Sequence, residues 1–350
     1  MANSLKIHFL NVGHGDCTII DFPQRLTVVD LNNCRKFGKE SEAELRMRRS
    51  RQFLPNPFLG HGPLAGYDGE RALKKALDQD AARLVDPIEY IKTHFPNRSI
   101  FRYVQTHPDM DHMAGLHRLT AQERIEIVNL WDTRHSIEKE TNARKWASVN
   151  FDIEDWKTYL QLRKSQGSPK ALFLKADETG DYWTADGISV WAPLAHDKKS
   201  DPDADPNDFS YVLHIQFGQC SIVLGGDLAE EKWKELYQVR QGKFPKVHLL
   251  KASHHGRKSG YHLESVQAMN PDVTVVSVGE LKKKDDASAS YERLSNRGCY
   301  TTVDHGTLVA TCLDNGVVWL DDANGKRILG EDLNVSALAN LWLSGGYRTT

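Results

Sequence analysis

Apolar positions open the chain in short alternating or continuous runs. "LKIHFLNVG" and "CTIIDF" read as strands separated by the turn-rich "GHGD", and "RLTVVDL" follows at hairpin distance. From residue 33 the pattern turns polar and its period lengthens. Ser41 with Glu44 fits a capping box, and "RALKKALDQDAARLV" repeats at helical spacing. Asp86-Pro87 restarts a helix, with Asp as the cap and Pro at its first position. "SIFRYVQT" is then a strand. Residues 120 to 180 return to helical patterns rich in Trp and charge, and 197 to 210 form a polar, proline-bearing loop. Beyond it come strands "YVLHIQF", "CSIVLGGD", "KVHLLKAS" and "VTVVSVG", with helices at "EEKWKELYQVRQ", 262–270 and 288–297. A hairpin through "GTLVATCLDNGVVWL" closes the pattern. Strand pairs followed by strand–helix alternation in both halves predict two mixed sheets held between helices. The expected organisation is one domain over 1–325, with helical insertions at about 33–98 and 120–180 and a C-terminal extension at 326–350.

Composition narrows the function classes. With 350 residues, 40% hydrophobic and 26% charged, the chain can bury a large core. The formal net charge of −2 gives no global basic footprint, so any contact with a polyanion must be local. No apolar run reaches membrane-spanning length, and "MANSLKIHFLNVGHGDC" lacks the apolar stretch of a signal peptide. Five cysteines form no CxxC pair and suggest no disulfide framework. A cytoplasmic protein without a membrane partner is the expectation.

Three segments then change the picture. "THPDMDH" (106–112), "LGGD" (224–227) and "ASHHG" (252–256) each end a predicted strand, where ligand loops of α/β sheets belong. Alternate residues of a strand-end turn can reach one point in space. His107 and Asp109 would face one metal, with Asp111 and His112 facing a neighbour. Imidazole and carboxylate are the ligands that Zn²⁺ accepts and Mn²⁺ also tolerates. Asp227, ending a rigid strand, can bridge two ions about 3.5–4 Å apart. His254 would complete the second position. Each piece has an ordinary reading when taken alone: a solvated His-Asp turn, Asp227 capping the helix that begins at 229, Lys251 snorkelling at a strand end. Found together, each behind an apolar strand, they favour a metal centre.

"HPDMDHMAG" resembles the HxHxDH signature of the metallo-β-lactamase fold, in the variant where the second His is Asp. "LNVGHGDCTII", "TVVDLNN", "NDFSYVLHI", "IVLGGD" and "LLKASHHG" are similar to segments of the hydrolase domain of the competence protein ComEC and its soluble relatives. The resemblance implies an αββα four-layer sandwich carrying helical insertions. It makes His107 and Asp109 ligands of one divalent ion and Asp111, His112 and His254 ligands of another, with Asp227 between them. Zn²⁺ is the expected metal and Mn²⁺ the alternative. Asp30 would orient the ligand turn, with Asp16 in a similar role. The usual third histidine of the first position has no clear counterpart; Asn207, Asp208 and His196 are the alternatives, Asn207 foremost. No histidine follows "SVG", and His305 reads as a surface turn.

The implied chemistry is hydrolysis by a hydroxide held between two cations, with Asp111 and Asp227 fixing its geometry and His255 or Lys251 serving the leaving group. The resemblance implies a phosphodiester substrate, plausibly nucleic acid. "RMRRSR" (46–51) and Lys282 to Lys284 are local basic features suited to phosphate, although such clusters commonly form solvated faces. A small phosphodiester, a lactone and a thioester are the rival substrates. The rival class is a metal-binding scaffold or effector whose insertions engage a protein partner through Trp131, Trp146 or Trp156.

Overall fold

The computed structural model describes residues 4–34, 36–53, 67–138, 152–196 and 205–330. Strand β1 (Ser4–Phe9) shows how the first layers arise. Its period-2 pattern sends Leu5, Ile7 and Phe9 one way, into an apolar layer, while His8 packs against Tyr90 and Phe95 on the other side. β1 pairs antiparallel with β2 (Thr18–Asp21), and β2 with β3 (Leu26–Val29). The chain then crosses over to β5 (Ile100–Val104), β7 (Ile127–Trp131) and β8 (Lys170–Leu172), all parallel to β3. The hairpin β15 (Leu308–Leu313), β16 (Val318–Asp321) and β17 (Arg327–Leu329) closes the other edge of β1, giving a nine-stranded sheet. A short ladder, β4 (Leu31–Asn32) with β6 (Met113–Ala114), lies beside it.

The second sheet has six strands in the order β14 (Cys299–Thr301), β13 (Val273–Val276), β12 (Leu249–Lys251), β11 (Cys220–Leu224), β10 (Val212–Phe217), β9 (Ile188–Ala192). Its inner residues Val190, Leu213, Ile222, Leu249 and Val275 meet Leu5, Ile7, Phe9 and Val104 of the first sheet. Helices α1 (Lys39–Phe53) and α2 (Tyr67–Ala82) are clasped by Arg49 and Asp80 at 2.6 Å, and α5 (Asp181–Ala185) leads into β9. A separate apolar cluster joins the first sheet to α3 (Pro87–His94) and α4 (Ile153–Arg163). A third joins the second sheet to α6 (Glu230–Val239), α7 (Leu263–Met269) and α8 (Ser288–Leu294). Helix, sheet, sheet, helix is the αββα sandwich expected from the sequence.

Several local expectations hold. Asp86 caps α3, its carboxylate accepting from the amides of Ile88 and Glu89 at 3.0 and 3.1 Å. Others need correction. Helix α1 begins two residues before Ser41, so no capping box forms; Ser41 is buried inside the helix beneath Gly279. The span 120–180 is not a purely helical insertion, because β7 and β8 join the main sheet, where the apolar run "IVNLW" pairs with β5. Nor is α3, in the 33–98 segment, an appendage: Ile88 and Ile91 are fully covered by the core. Trp131 and Trp156 are each 1% exposed and serve as core side chains rather than interface anchors; Trp146 lies outside the described residues. Of the C-terminal extension, 327–329 belong to the sheet as β17, and 331–350 lie outside the described residues. No described helix is long and apolar enough to cross a membrane.

Candidate metal centre

The parallel strands β3 and β5 of one sheet and β11 and β12 of the other all finish at one rim. There the Tyr211 amide donates to the Thr106 carbonyl at 3.0 Å, tying the two sheets together. Asp30, just past β3, adopts a left-handed backbone (φ 58°) that aims its carboxylate at the loop after β5. One oxygen accepts from the Thr106 amide at 2.8 Å. The other accepts from the Thr106 hydroxyl and from His112 Nδ1, both at 2.7 Å. With its proton given to Asp30, the Thr106 oxygen accepts from His107 Nδ1 at 3.0 Å. Both imidazoles therefore carry their Nδ1 protons outward and turn Nε2 inward, the tautomer that ligates metal. The rings sit 4.2 Å apart. Both Nε2 atoms are buried without a hydrogen-bond partner.

The second sheet supplies the opposing wall. The Asp227 amide donates to Ser210 Oγ at 2.8 Å. Gly226 (φ 50°) must be glycine, since a Cβ there would strike Ser210 Oγ and the Tyr211 carbonyl. Asp227 does not cap α6; Ala229 holds that position. After β12, His254 and His255 both take left-handed backbones (φ 48° and 54°), a strain of about 1–3 kcal/mol each that persists only where packing enforces it. The turn sends His255 inward. Its Nδ1 donates to the Ser277 carbonyl at 3.2 Å, and its Nε2 stands 3.1 Å from Asp227 Oδ2 and 3.5 Å from Asp111 Oδ2. His112 Nε2 is 3.3 Å from the same Asp227 oxygen. One ligand atom each from Asp16, His112, Asp227 and His255 lies within 4.8 Å of the others, all four residues buried.

The sequence reading and this geometry divide in a specific way. His112 and Asp227 meet as expected, with Asp111 beside them. His255, expected to serve the leaving group, occupies the place foreseen for His254; His254 is half-buried, with Nδ1 2.9 Å from Ser259 Oγ. Asp16, expected to support, enters the group itself, and Lys251 holds it through a 2.5 Å contact to Oδ2. Asp109 caps its own turn, accepting from the Met110 amide at 2.6 Å. Asn207 lies in a short turn where Asp205 holds its amide, and Ser210 is the residue of that segment that reaches Asp227. His196 pairs with Glu235 at 2.7 Å. His14 had no assigned role, yet its Nε2 is 3.6 Å from Asp111 Oδ2 and its ring 5.3 Å from that of His255. The histidine in "GHGD", beside an acid expected at the site, was its one signal.

Charge follows the same map. Burial disfavours the imidazolium of His255, but Asp227, Asp111 and Asp16 outweigh it and raise the pKa to about 10. His112 is raised for like reason by Asp227, Asp30 and Asp111. Asp111 and Asp227 are buried too, yet the imidazoles hold both below the usual carboxylate range. Burial, then the charge of Asp111, pushes Asp109 up. Lys251, buried but facing Asp16 and Asp227, holds its proton more tightly than an ordinary lysine. Its ammonium balances the Asp16 carboxylate.

The donor set fits a divalent cation. Ligand bonds of about 2.0–2.2 Å put neighbouring ligand atoms roughly 3–3.6 Å apart, and the contacts from His112 to Asp227 to His255 to Asp111 run from 3.1 to 3.5 Å. The partnerless Oδ1 atoms of Asp227 and Asp16 add to the unpaired imidazole nitrogens. Polar atoms buried without partners are costly unless something binds them.

No family model matches the chain. ComE operon protein 3 of Bacillus subtilis is 37% identical over 82 residues, which is 23% of this chain; the chain spans about a tenth of that protein at this match. Among solved structures, the metallo-β-lactamase fold protein YhfI of Bacillus subtilis aligns over 90% of this chain and 99% of its own, at 9% identity and TM-score 0.42. Igni18, a metallo hydrolase of Ignicoccus hospitalis, aligns over 87% and 98% at 10% identity and TM-score 0.41. Zn²⁺-bound PqqB of Methylobacterium extorquens aligns over 87% and 99% at 14% identity and TM-score 0.36.

Proposed function

We propose that the chain is a metal-dependent hydrolase acting on phosphodiesters. The observation that carries the reading is the convergence of His112, Asp227, His255 and Asp16 with ligand atoms that hydrogen bonding leaves unused. His112, Asp227, His255 and Asp111 would hold one divalent ion, Zn²⁺ or Mn²⁺. His107 and Asp109, together with Asp227, would hold a second ion. When bound, such ions polarise a phosphoryl oxygen and make water a nucleophile near neutral pH. The chain's own groups supply the rest. Asp30 keeps His112, and through Thr106 also His107, in the ligating tautomer. Lys251 offsets the charge of Asp16. His14, whose Nε2 lies 3.6 Å from Asp111 Oδ2, would meet the substrate. The phosphodiester preference is supported by the resemblance of the ligand turns and by cationic side chains beside the centre. Elemental analysis of purified protein, followed by turnover of bis-p-nitrophenyl phosphate with each metal added, tests the proposal. Bound Zn²⁺ or Mn²⁺ with turnover that a chelator abolishes is expected; metal-free protein that gains no activity on reconstitution would sink it.

A further inference from the structure

The rim opposite the metal centre holds another cluster of charge, which the proposed chemistry leaves unused. Arg25 precedes the first residue of β3 and Asp30 follows its last, so the length of that strand separates the two places. Arg102 lies on the face of β5 that carries Val104 into the layer between the sheets, its guanidinium 4.8 Å from the Trp131 ring. The side chain is 1% exposed. Its Nη1 donates to Thr27 Oγ1 at 2.8 Å and its Nη2 to Asp186 Oδ2 at 3.0 Å. The other Asp186 oxygen accepts from Arg25 Nη1 at 2.6 Å. One carboxylate therefore serves two guanidiniums, and neither pairs with another acid among the described residues.

A cavity of about 590 Å³ adjoins this cluster, its lining including Phe22, Arg25, Asp186, Gly187, Gln216 and Phe217. That size falls in the range of small-molecule sites. The turn that carries Asp186 is fixed. The Gln216 amide donates to the Gly187 carbonyl at 2.8 Å, and Gly187 (φ 71°) must be glycine, because a Cβ would strike the Gln216 carbonyl. The Arg25 guanidinium stands 5.3 Å from the Phe101 ring and 5.2 Å from the Tyr182 ring. Of its five N–H donors, one on Nη1 is committed among the described residues. Burial disfavours the Arg102 cation, Asp186 opposes that, and the charge of Arg25 adds to it. A second anion in the cavity would meet the free donors of Arg25 and relieve the repulsion between the guanidiniums. Phe22 and Phe217 offer an apolar wall to the rest of such a molecule.

We propose that this cavity binds a small organic anion, a carboxylate or phosphate head on an apolar body, with Arg25 gripping the head. A guanidinium fork suits either head, because two parallel N–H bonds match two oxygens of each. The apolar wall makes an organic anion a better fit than a bare ion. None of the expected metal ligands lines the cavity, so the site stands whether or not the hydrolase reading does.

The test is calorimetric titration of the full chain with benzoate and with phenyl phosphate, and with benzyl alcohol and inorganic phosphate for comparison. Saturable binding of at least one organic anion is expected, tighter than that of either comparison compound. Arg25→Gln should weaken it by about tenfold or more, the loss expected for a charge-assisted contact. Ala185→Trp crowds the cavity wall while leaving both guanidiniums in place, and should weaken it too. This second variant keeps the test decisive should Arg25→Gln destabilise the chain. His112→Ala should leave the binding unchanged, whereas an anion held at the metal centre would be lost in that variant. Tighter binding of phenyl phosphate selects a phosphate head, and tighter binding of benzoate a carboxylate. No saturable binding of either at millimolar concentration overturns the proposal. So do equal affinity for benzyl alcohol or inorganic phosphate, unchanged affinity in both cavity variants, and loss of all binding in His112→Ala.

Discussion

Two of the polar knots buried among the described residues differ in which atoms are left without partners. Around Asp132, at the end of β7, the carboxylate oxygens and imidazole nitrogens all find partners, and the atoms left over are the Thr133 hydroxyl and Arg163 Nη1. One Asp132 oxygen accepts from the Thr133 amide at 2.9 Å and the Tyr159 hydroxyl at 2.8 Å; the other accepts from Arg163 Nε at 2.7 Å. His135 Nδ1 accepts from the Ile137 amide, so its Nε2 carries the proton that meets the Tyr159 hydroxyl. Around Asp227 the same residue types, equally buried, leave His107 Nε2, His112 Nε2, Asp227 Oδ1 and Asp16 Oδ1 without partners. A knot whose acid and imidazole are satisfied from within is structural, here clasping α4 to the sheet. A knot whose free lone pairs converge is built to bind something.

The comparison breaks most readily at the ligands. His112→Ala should abolish both metal content and turnover, with elemental analysis and the ester assay as readouts. Full activity in that variant would erase the distinction between the knots. Asp132→Ala should act in the opposite sense: it leaves Arg163 buried without its acid, costing about 3–5 kcal/mol of stability in a denaturant titration. Metal content per folded molecule should remain that of the parent chain. Asp30→Asn touches no expected ligand atom but weakens the hold on His112 Nδ1, and should cost about 10–100-fold in metal affinity by competition with a chelator.

His8 sharpens the comparison from outside both knots. Its Nε2 is also buried without a partner, while Nδ1 meets the Tyr90 hydroxyl at 2.9 Å. Among the described residues no cluster of ligands forms around it, so it should bind no metal. Burial lowers its pKa to about 4. The folded chain then binds fewer protons there than the unfolded chain between about pH 6.5 and 4. Stability should fall as pH drops through that window, by at most about 1.4 kcal/mol per unit from this group. His8→Leu should flatten that acid limb in melts recorded from pH 7 to 4.5; an unchanged limb would remove His8 as its source.

Much of the fold is legible locally. The alternation in "LKIHF" sets which side chains of β1 face the second sheet, and Asp86-Pro87 starts α3 with the cap it announces. The strand-end turns carrying His107 to His112, Asp227 and the two adjacent histidines are visible because ligand loops follow apolar runs. The strand β7 was less legible, since five residues of "IVNLW" sit among charged helical patterns and acquire strand character only by pairing with β5.

The sequence alone determined the layer order and the segments that bear the chemistry, because both depend on periodicity and composition within a few residues of one another. Tertiary structure decided which of His254 and His255 turns inward, that Asp16 joins the group, and that His14 stands beside Asp111 and His255. Those outcomes turn on a left-handed backbone at 254–256 and on pairings between segments more than two hundred residues apart, and neither leaves a mark in any short window of the chain.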